Sequence, residues 1–286
     1  MIFHSDSIEQ QYLDLVSFIL ERGTWKQNRT GVRTLTVVHA MLTHDMSQGY
    51  PLLTTKKMPF KVMAVELEGF IKGIKDKRWF QERNCHIWDD WCNPKKVPYG
   101  TDKETLAKMA AEPDLGPIYG VQWRNFNEEN RADQLKLIVD TLKADKYNRR
   151  MVCSAWNPLQ LEEMALPPCH ILWHVTALED TLNLCWFQRS CDLMLGIPFN
   201  IASYALLLEL LAKESGLKPG ILTGFLSDIH IYENHIEGAK TQIQRTPKPL
   251  PKLKFKKFTS IFDWTSQDCE IEGYEHYDKI QFDIVV

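Results

Sequence analysis

The stretch from Leu166 to Asn200 constrains the fold more than any other part of the chain. Two apolar, β-branched and aromatic runs, Ile171–Leu178 and Leu182–Phe187, are joined by the polar pair Glu179-Asp180. That pattern predicts two strands and a turn. Cys169 stands just before the first run and just after Pro167-Pro168, on backbone that the prolines stiffen and extend. Arg189, Ser190, Asp192 and Asn200 follow the second run around a Gly and a Pro. A thiol nucleophile, a cation for an anion and an amide suited to reading a polar ring make a candidate covalent-catalysis site. Taken singly, a cysteine is more often a small buried hydrophobe.

With 286 residues the chain can bury a sizeable core in one large domain or two modest ones. No internal repeat, linker or low-complexity tract divides it, so a single domain over 1–286 is expected. A net charge of −3 gives no bulk attraction to nucleic acid or membrane, and neither is expected as a partner. Any anionic ligand needs a local basic cluster. No apolar run approaches the ~20 residues of a membrane span. The N-terminal stretch with Asp6, Glu9 and Asp14 lacks the form of a secretory signal. Seven cysteines without C-x-x-C spacing fit free thiols in a reducing cytoplasm. Cys85-His86 and Cys169-His170 are adjacent pairs, poor chelate spacing, and no metal site is expected.

Along the chain, Ile8, Tyr12, Leu15, Val16, Ile19 and Leu20 recur at helical spacing before Gly23. Asn28-Arg29-Thr30-Gly31 is a polar turn feeding the strand-like run Thr34–Val38, and Thr54-Thr55-Lys56-Lys57 is a second basic loop. Phe60–Gly73 reads as an amphipathic helix in which Glu66 falls among apolar neighbours, while Glu68 suits the surface better. Trp88 and Trp91 lie close enough together to be simple core. Residues 93–114 are polar, lysine-rich and weakly patterned, a variable insert with a helical part over Glu104–Ala111 and no evident chemistry. A helix is expected over Asp133–Leu142, a strand over Met151–Trp156, a central apolar helix over Asn200–Gly216, a helix from Glu233 on and a strand over Lys252–Phe258.

Met164 through His170, Gln188-Arg189-Ser190, and Gly196-Ile197-Pro198-Phe199-Asn200-Ile201-Ala202-Ser203-Tyr204 resemble the signature of the thymidylate synthase family. Leu115 through Gly120 and Gln122-Trp123-Arg124 resemble it as well. The resemblance implies an α+β fold of one domain, with a large mixed β-sheet forming a homodimer interface and helices on the other side. It implies dUMP as substrate and 5,10-methylenetetrahydrofolate as one-carbon donor. Cys169 would add to C6 of the pyrimidine, with Arg189 lowering the thiol pKa. Glu66 and ordered water would handle protons at the ring carbonyl. Tyr119, whose reference pKa is about 10, would assist removal of the C5 proton through shared water. Asn200 would read uracil, accepting from N3–H and donating to O4. Arg29 and Arg189 would hold the phosphate with Arg149 and Arg150 crossing from the other subunit, and Ser190 would also bind dUMP. His230 and Tyr232 would bind the sugar hydroxyl. Lys56, Trp88, Trp91, Leu166, Asp192, Leu195, Gly196, Phe199 and Val285 would line the folate site.

The chain departs from the synthase pattern at Val32-Arg33, at Glu68-Gly69, and at Leu226-Ser227. The first two drift toward phage nucleotide hydroxymethylases, in which water rather than hydride reaches the exocyclic methylene. Trp88, Leu166 and a full C-terminal tail ending in Val286 favour methylation, since such a tail excludes water. A dUMP hydroxymethylase stands as the alternative. A non-catalytic nucleotide- or RNA-binding member is weaker, because Cys169, Glu66 and Tyr119 are all present.

Overall fold

A computed structural model describes residues 1–2, 5, 7–129 and 132–284. In chain order the elements are α1 (Ile8–Arg22), β1 (Thr24–Lys26), β2 (Thr34–Asp45), α2 (Phe60–Lys72), α3 (Lys77–Gln81), α4 (Lys103–Ala111), α5 (Tyr119–Arg124) and α6 (Gln134–Ala144). They continue with β3 (Val152–Ser154), β4 (His170–Leu178), β5 (Thr181–Asp192), α7 (Gly196–Ser215), β6 (Lys218–Tyr232), α8 (Ile236–Ile243), β7 (Lys252–Phe255) and β8 (Cys269–Glu272). Among the described residues, no helix is long and apolar enough to cross a membrane.

The expected α+β class with a large mixed sheet is what forms. Six strands pair in the order β1-β2-β6-β5-β4-β3, and β7 and β8 make a separate two-stranded sheet. The β4–β5 pair is antiparallel around the expected Glu179-Asp180 turn. The β5–β6 pair is parallel, which a hairpin cannot achieve, and α7 makes the crossover. Apolar on every side, α7 buries Ile201, Tyr204, Leu208 and Leu211, and it ends where Gly216 turns left-handed at φ 68°. One hydrophobic core runs continuously from Ile8 on α1 to Phe282 near the C-terminus.

Several readings of the sequence need correction. The central helix begins at Gly196 rather than Asn200, because Pro198 falls in its first turn, where no backbone donor is lost. The expected helix from Glu233 on is present as a short 3-10 turn leading into α8, but the segment before it forms a fifteen-residue strand that the sequence reading does not assign. Its apolar residues point both ways, Leu222 and Leu226 into the core and Ile221 and Phe225 outward, so no period of two stood out. Glu68 is buried, not at the surface: its carboxylate accepts from the Ser266 amide at 2.8 Å and pairs with Lys72 at 3.1 Å. The strands over Met151–Trp156 and Lys252–Phe258 are shorter than expected, at Val152–Ser154 and Lys252–Phe255.

Gly69 explains itself by its neighbour. A Cβ there would meet the fully buried Phe80 ring at 2.2 Å, so the space of a side chain on α2 is filled from α3. Gly69→Ala should therefore destabilise by about 1–2 kcal/mol, overpacking outweighing the helix-propensity gain of ~1 kcal/mol. Urea denaturation measures this, and adding Phe80→Leu should recover most of the loss; an alanine variant more stable than the parent would contradict the packing account.

Candidate active site

The site is assembled by strand register. Cys169 immediately precedes β4, and its carbonyl accepts from the Arg189 amide on β5 at 2.9 Å. Parallel pairing then sets Ser190 against Asp228 and Asp192 against His230 on β6, and antiparallel pairing sets Tyr232 against Thr34 of β2. The β1–β2 loop brings Arg29, α2 brings Glu66, the start of α5 brings Tyr119, and the first two turns of α7 bring Gly196, Phe199 and Asn200. These side chains line one cleft of about 820 Å³. Trp88, Trp91, Leu166 and Leu195 form its apolar wall, and Ile284 reaches it from the C-terminal segment.

Local bonding orients the polar groups. The Tyr119 hydroxyl accepts from the Cys169 amide at 2.8 Å, and its ring stacks on His170 at 4.2 Å. Gln188 Nε2 donates to Asn200 Oδ1 at 3.0 Å, which fixes the direction of the Asn200 amide. Arg189 donates from Nε to the Pro168 carbonyl and from one terminal nitrogen to the Pro167 carbonyl, each at 2.8 Å. The same arginine therefore clamps the di-proline turn that presents the thiol. Asp192 Oδ1 accepts from the Met194 and Leu195 amides at 3.1 Å, a turn-forming use of one carboxylate oxygen.

Burial dominates the electrostatics. Glu66 is pushed up to about 7 by desolvation, against a 3.1 Å hydrogen bond from Trp88 Nε1, so it can exchange a proton near neutrality. Tyr119 is driven well above the ordinary phenol range by burial and by its thiol neighbour, and stays a neutral donor. His170 falls to about 3 on burial and is a neutral ring, not a base for the adjacent thiol. The Cys169 thiol is raised, not lowered. Desolvation outweighs the favourable guanidinium of Arg189 and the Tyr119 hydrogen bond, and Asp192 adds to the rise. Arg189 lowers the thiol pKa as expected, but burial outweighs it and the net shift is upward.

Several residues named from the sequence stand elsewhere. Lys56 does not line the cleft; its buried ammonium donates to the Met194 carbonyl, lies 4.7 Å from the Phe282 ring centre, and is drawn down to about 7 by burial. Arg149 and Arg150 are exposed and lie outside this chain's cleft. Val285 lies outside the described residues, as does Val286. Other lining residues had no assigned role. Asp228 bonds His230 Nδ1 at 3.1 Å and Lys26, contacts that hold its carboxyl at about 2. Gln188 was part of a motif yet unassigned, and Trp156 was missed. Asp228, His230 and Tyr232 sit at i, i+2 and i+4, a spacing that would have put all three on one strand face.

None of the departures noted from the sequence lines the cleft. Arg33 pairs with Glu233 at 2.5 Å and lies 4.2 Å over the Trp25 ring. Glu68 and Gly69 face Ser266 and Phe80, Leu226 is core, and Ser227 is on β6 away from the cleft lining.

A family model described as thymidylate synthase matches residues 10–286. The chain is 41% identical over 289 residues to a thymidylate synthase of Mycoplasma pneumoniae, covering 97% of this chain and all of that one. It is 43% identical to that of Mycoplasma genitalium, covering 94% and 96% of the two chains. It is also 40% identical to a bifunctional dihydrofolate reductase-thymidylate synthase of Paramecium tetraurelia, across 97% of this chain and 61% of that longer one. With a match that begins in α1 and runs to the last residue, and relatives at 41% and 43% identity over nearly the whole chain, this chain belongs to the thymidylate synthase family.

Proposed function

We propose that the chain transfers a one-carbon unit to C5 of dUMP and reduces it to a methyl group, giving dTMP and dihydrofolate. The whole length acts as one catalytic domain. The carrying observation is that every departure toward the hydroxymethylases lies outside the cleft, whereas the apolar wall of Trp88, Leu166 and Ile284, suited to excluding water, lines it. Phe282 is buried against His235, whose Nε2 lies 2.8 Å from the Asp283 carbonyl, so the C-terminal segment is anchored where it closes over the cleft.

Arg29 and Arg189 suit the phosphate, and His230, tied to Asp228 through Nδ1, keeps Nε2 for the sugar hydroxyl. Asn200, held by Gln188, faces the base. Cys169 adds to C6 as the thiolate, leaving C5 a carbon nucleophile. Because the thiol is raised in this site, ionisation depends on the developing interaction with the ring and on Arg189. Glu66 supplies and recovers the proton at the ring carbonyl, and the Tyr119 hydroxyl steadies the thiol loop and the water path to C5. The aromatic wall and the second oxygen of Asp192 fit a flat pterin with ring N–H donors. 5,10-Methylenetetrahydrofolate supplies both the carbon and the reducing hydride when bound.

Two features support a homodimer completing the site. The sheet face away from α7 exposes Phe187, Ile221 and Phe225, the first and last paired in register, and apolar surface of this kind on a sheet seeks a cover. Arg149 and Arg150 are exposed and line no part of their own cleft, as residues that serve a second cleft would be. Seven unpaired cysteines support a reducing compartment such as the cytoplasm.

Incubation with dUMP and methylenetetrahydrofolate should yield equal amounts of dTMP and dihydrofolate by mass spectrometry; hydroxymethyl-dUMP with tetrahydrofolate would overturn the methyl assignment. Alkylation of Cys169 by iodoacetamide, followed on its own peptide, should have a pH midpoint above the ~8.5 of a free cysteine. A midpoint near 7 would show that Arg189 prevails over burial.

A further inference from the structure

The insert 93–114 announces no chemistry, yet it is tied to the cleft through one side chain. Lys77, at the start of α3, is 1% exposed. Its ammonium donates to three backbone carbonyls: Asp89 at 3.0 Å, Trp91 at 3.0 Å and Met109 at 2.7 Å. Two of these belong to the loop that carries Trp88 and Trp91 into the cleft, and the third lies near the C-terminal end of α4 in the insert. Among the described residues no carboxylate stands within ion-pair distance of it. Asp89, the nearest acidic side chain in sequence to its acceptors, is engaged instead by Gln81 and His86, each at 2.9 Å. The charge is therefore met by carbonyl dipoles, including the negative end of a helix.

The backbone beside it makes the same connection. The Lys77 amide donates to the Pro113 carbonyl at 2.8 Å, the Leu115 amide to the Lys75 carbonyl at 2.8 Å, and the Asn93 amide to the Asp114 carbonyl at 2.8 Å. The C-terminal end of the insert is thus clamped to the root of α3 and its two ends to each other, and Lys77 extends the clamp to the tryptophan loop. Burial draws its pKa below the ordinary lysine value, as expected of an ammonium removed from water.

We propose that Lys77 is a positioning residue for the reduced-folate side of the cleft, locking the Trp88–Trp91 loop to the insert helix so that the aromatic wall stands at the height the pterin requires. The inference rests on the folate assignment proposed above. It separates the two ligands, because Arg189, Asn200 and His230, placed toward the nucleotide, are held by β5, α7 and β6 and share no hydrogen bond with Lys77; Glu66, bonded to Trp88, is the one group that joins the two sides. Buried carbonyls that lose a charged donor pull their loop toward other partners. A shift of the wall by an ångström is felt at the site.

The test is Lys77→Met, which keeps the length of the side chain and removes the donor. The Kd of tetrahydrofolate, which has no carbon to transfer, in the presence of dUMP, read by tryptophan fluorescence, and the KM of methylenetetrahydrofolate should both rise by about tenfold or more. The Kd for dUMP alone should stay within twofold, and Lys77→Arg should restore part of the folate affinity. A folded Lys77→Met protein with unchanged folate Kd and KM would overturn the proposal, and so would equal loss of both ligands. If Lys77→Met does not accumulate as folded protein, replacing 101–111 by a short glycine–serine link removes the Met109 acceptor; unchanged folate affinity in that variant overturns the proposal as well. Because the binding measurement does not depend on the product, a failure of the methyl assignment in the parent protein is seen separately.

Discussion

The structure depends on the register between β4 and β5. One backbone hydrogen bond, from the Arg189 amide to the Cys169 carbonyl at 2.9 Å, joins the last residue before one strand to the end of the next. From that pairing the thiol and the guanidinium become neighbours, and the guanidinium returns to hold the Pro167 and Pro168 carbonyls. A slip of one residue would turn Arg189 to the opposite face. The apolar alternation of both strands, with Trp173, Val175, Leu184 and Trp186 buried, makes such a slip costly, so core packing protects catalytic geometry.

The crossover through α7 extends this precision to the rest of the cleft. A buried helix starting at Gly196 delivers Asn200 beside Gln188 and sets β6 parallel to β5. Asp228, His230 and Tyr232 then face the cleft by strand alternation alone. The polar groups gathered in this way are desolvated together, which raises Glu66 and Cys169 alike. One environment thus leaves a carboxyl ready to carry a proton near neutrality and a thiol that ionises only with help. For the proposed reaction, which must exclude water, a thiol quiet until a pyrimidine lies over it fits the chemistry.

Much of this was legible in the sequence, and the limits have physical causes. The β4–β5 hairpin, α1, α2 and α6 announce themselves by period and punctuation, and the cleft residues from Cys169 to Asn200 by motif. The strand β6 escaped because it is apolar on both faces, and Glu68 because a buried carboxylate paired with Lys72 leaves the same trace as an exposed one. The thiol's raised pKa was illegible because it is set by burial from every side, which no linear spacing encodes. Lys77 reads as one more lysine in a polar stretch until three carbonyls from two distant segments are seen around it.

The most direct test of the account is intact-protein and peptide mass spectrometry after incubation with 5-fluoro-dUMP and methylenetetrahydrofolate. The fluorine replaces the hydrogen that must leave C5, so a cysteine added to C6 and a carbon joined at C5 are held together on the protein. The account predicts a stable adduct of nucleotide and folate on the peptide containing Cys169. An unmodified Cys169, or an adduct on another residue, would contradict the claim that this sulfur is the nucleophile.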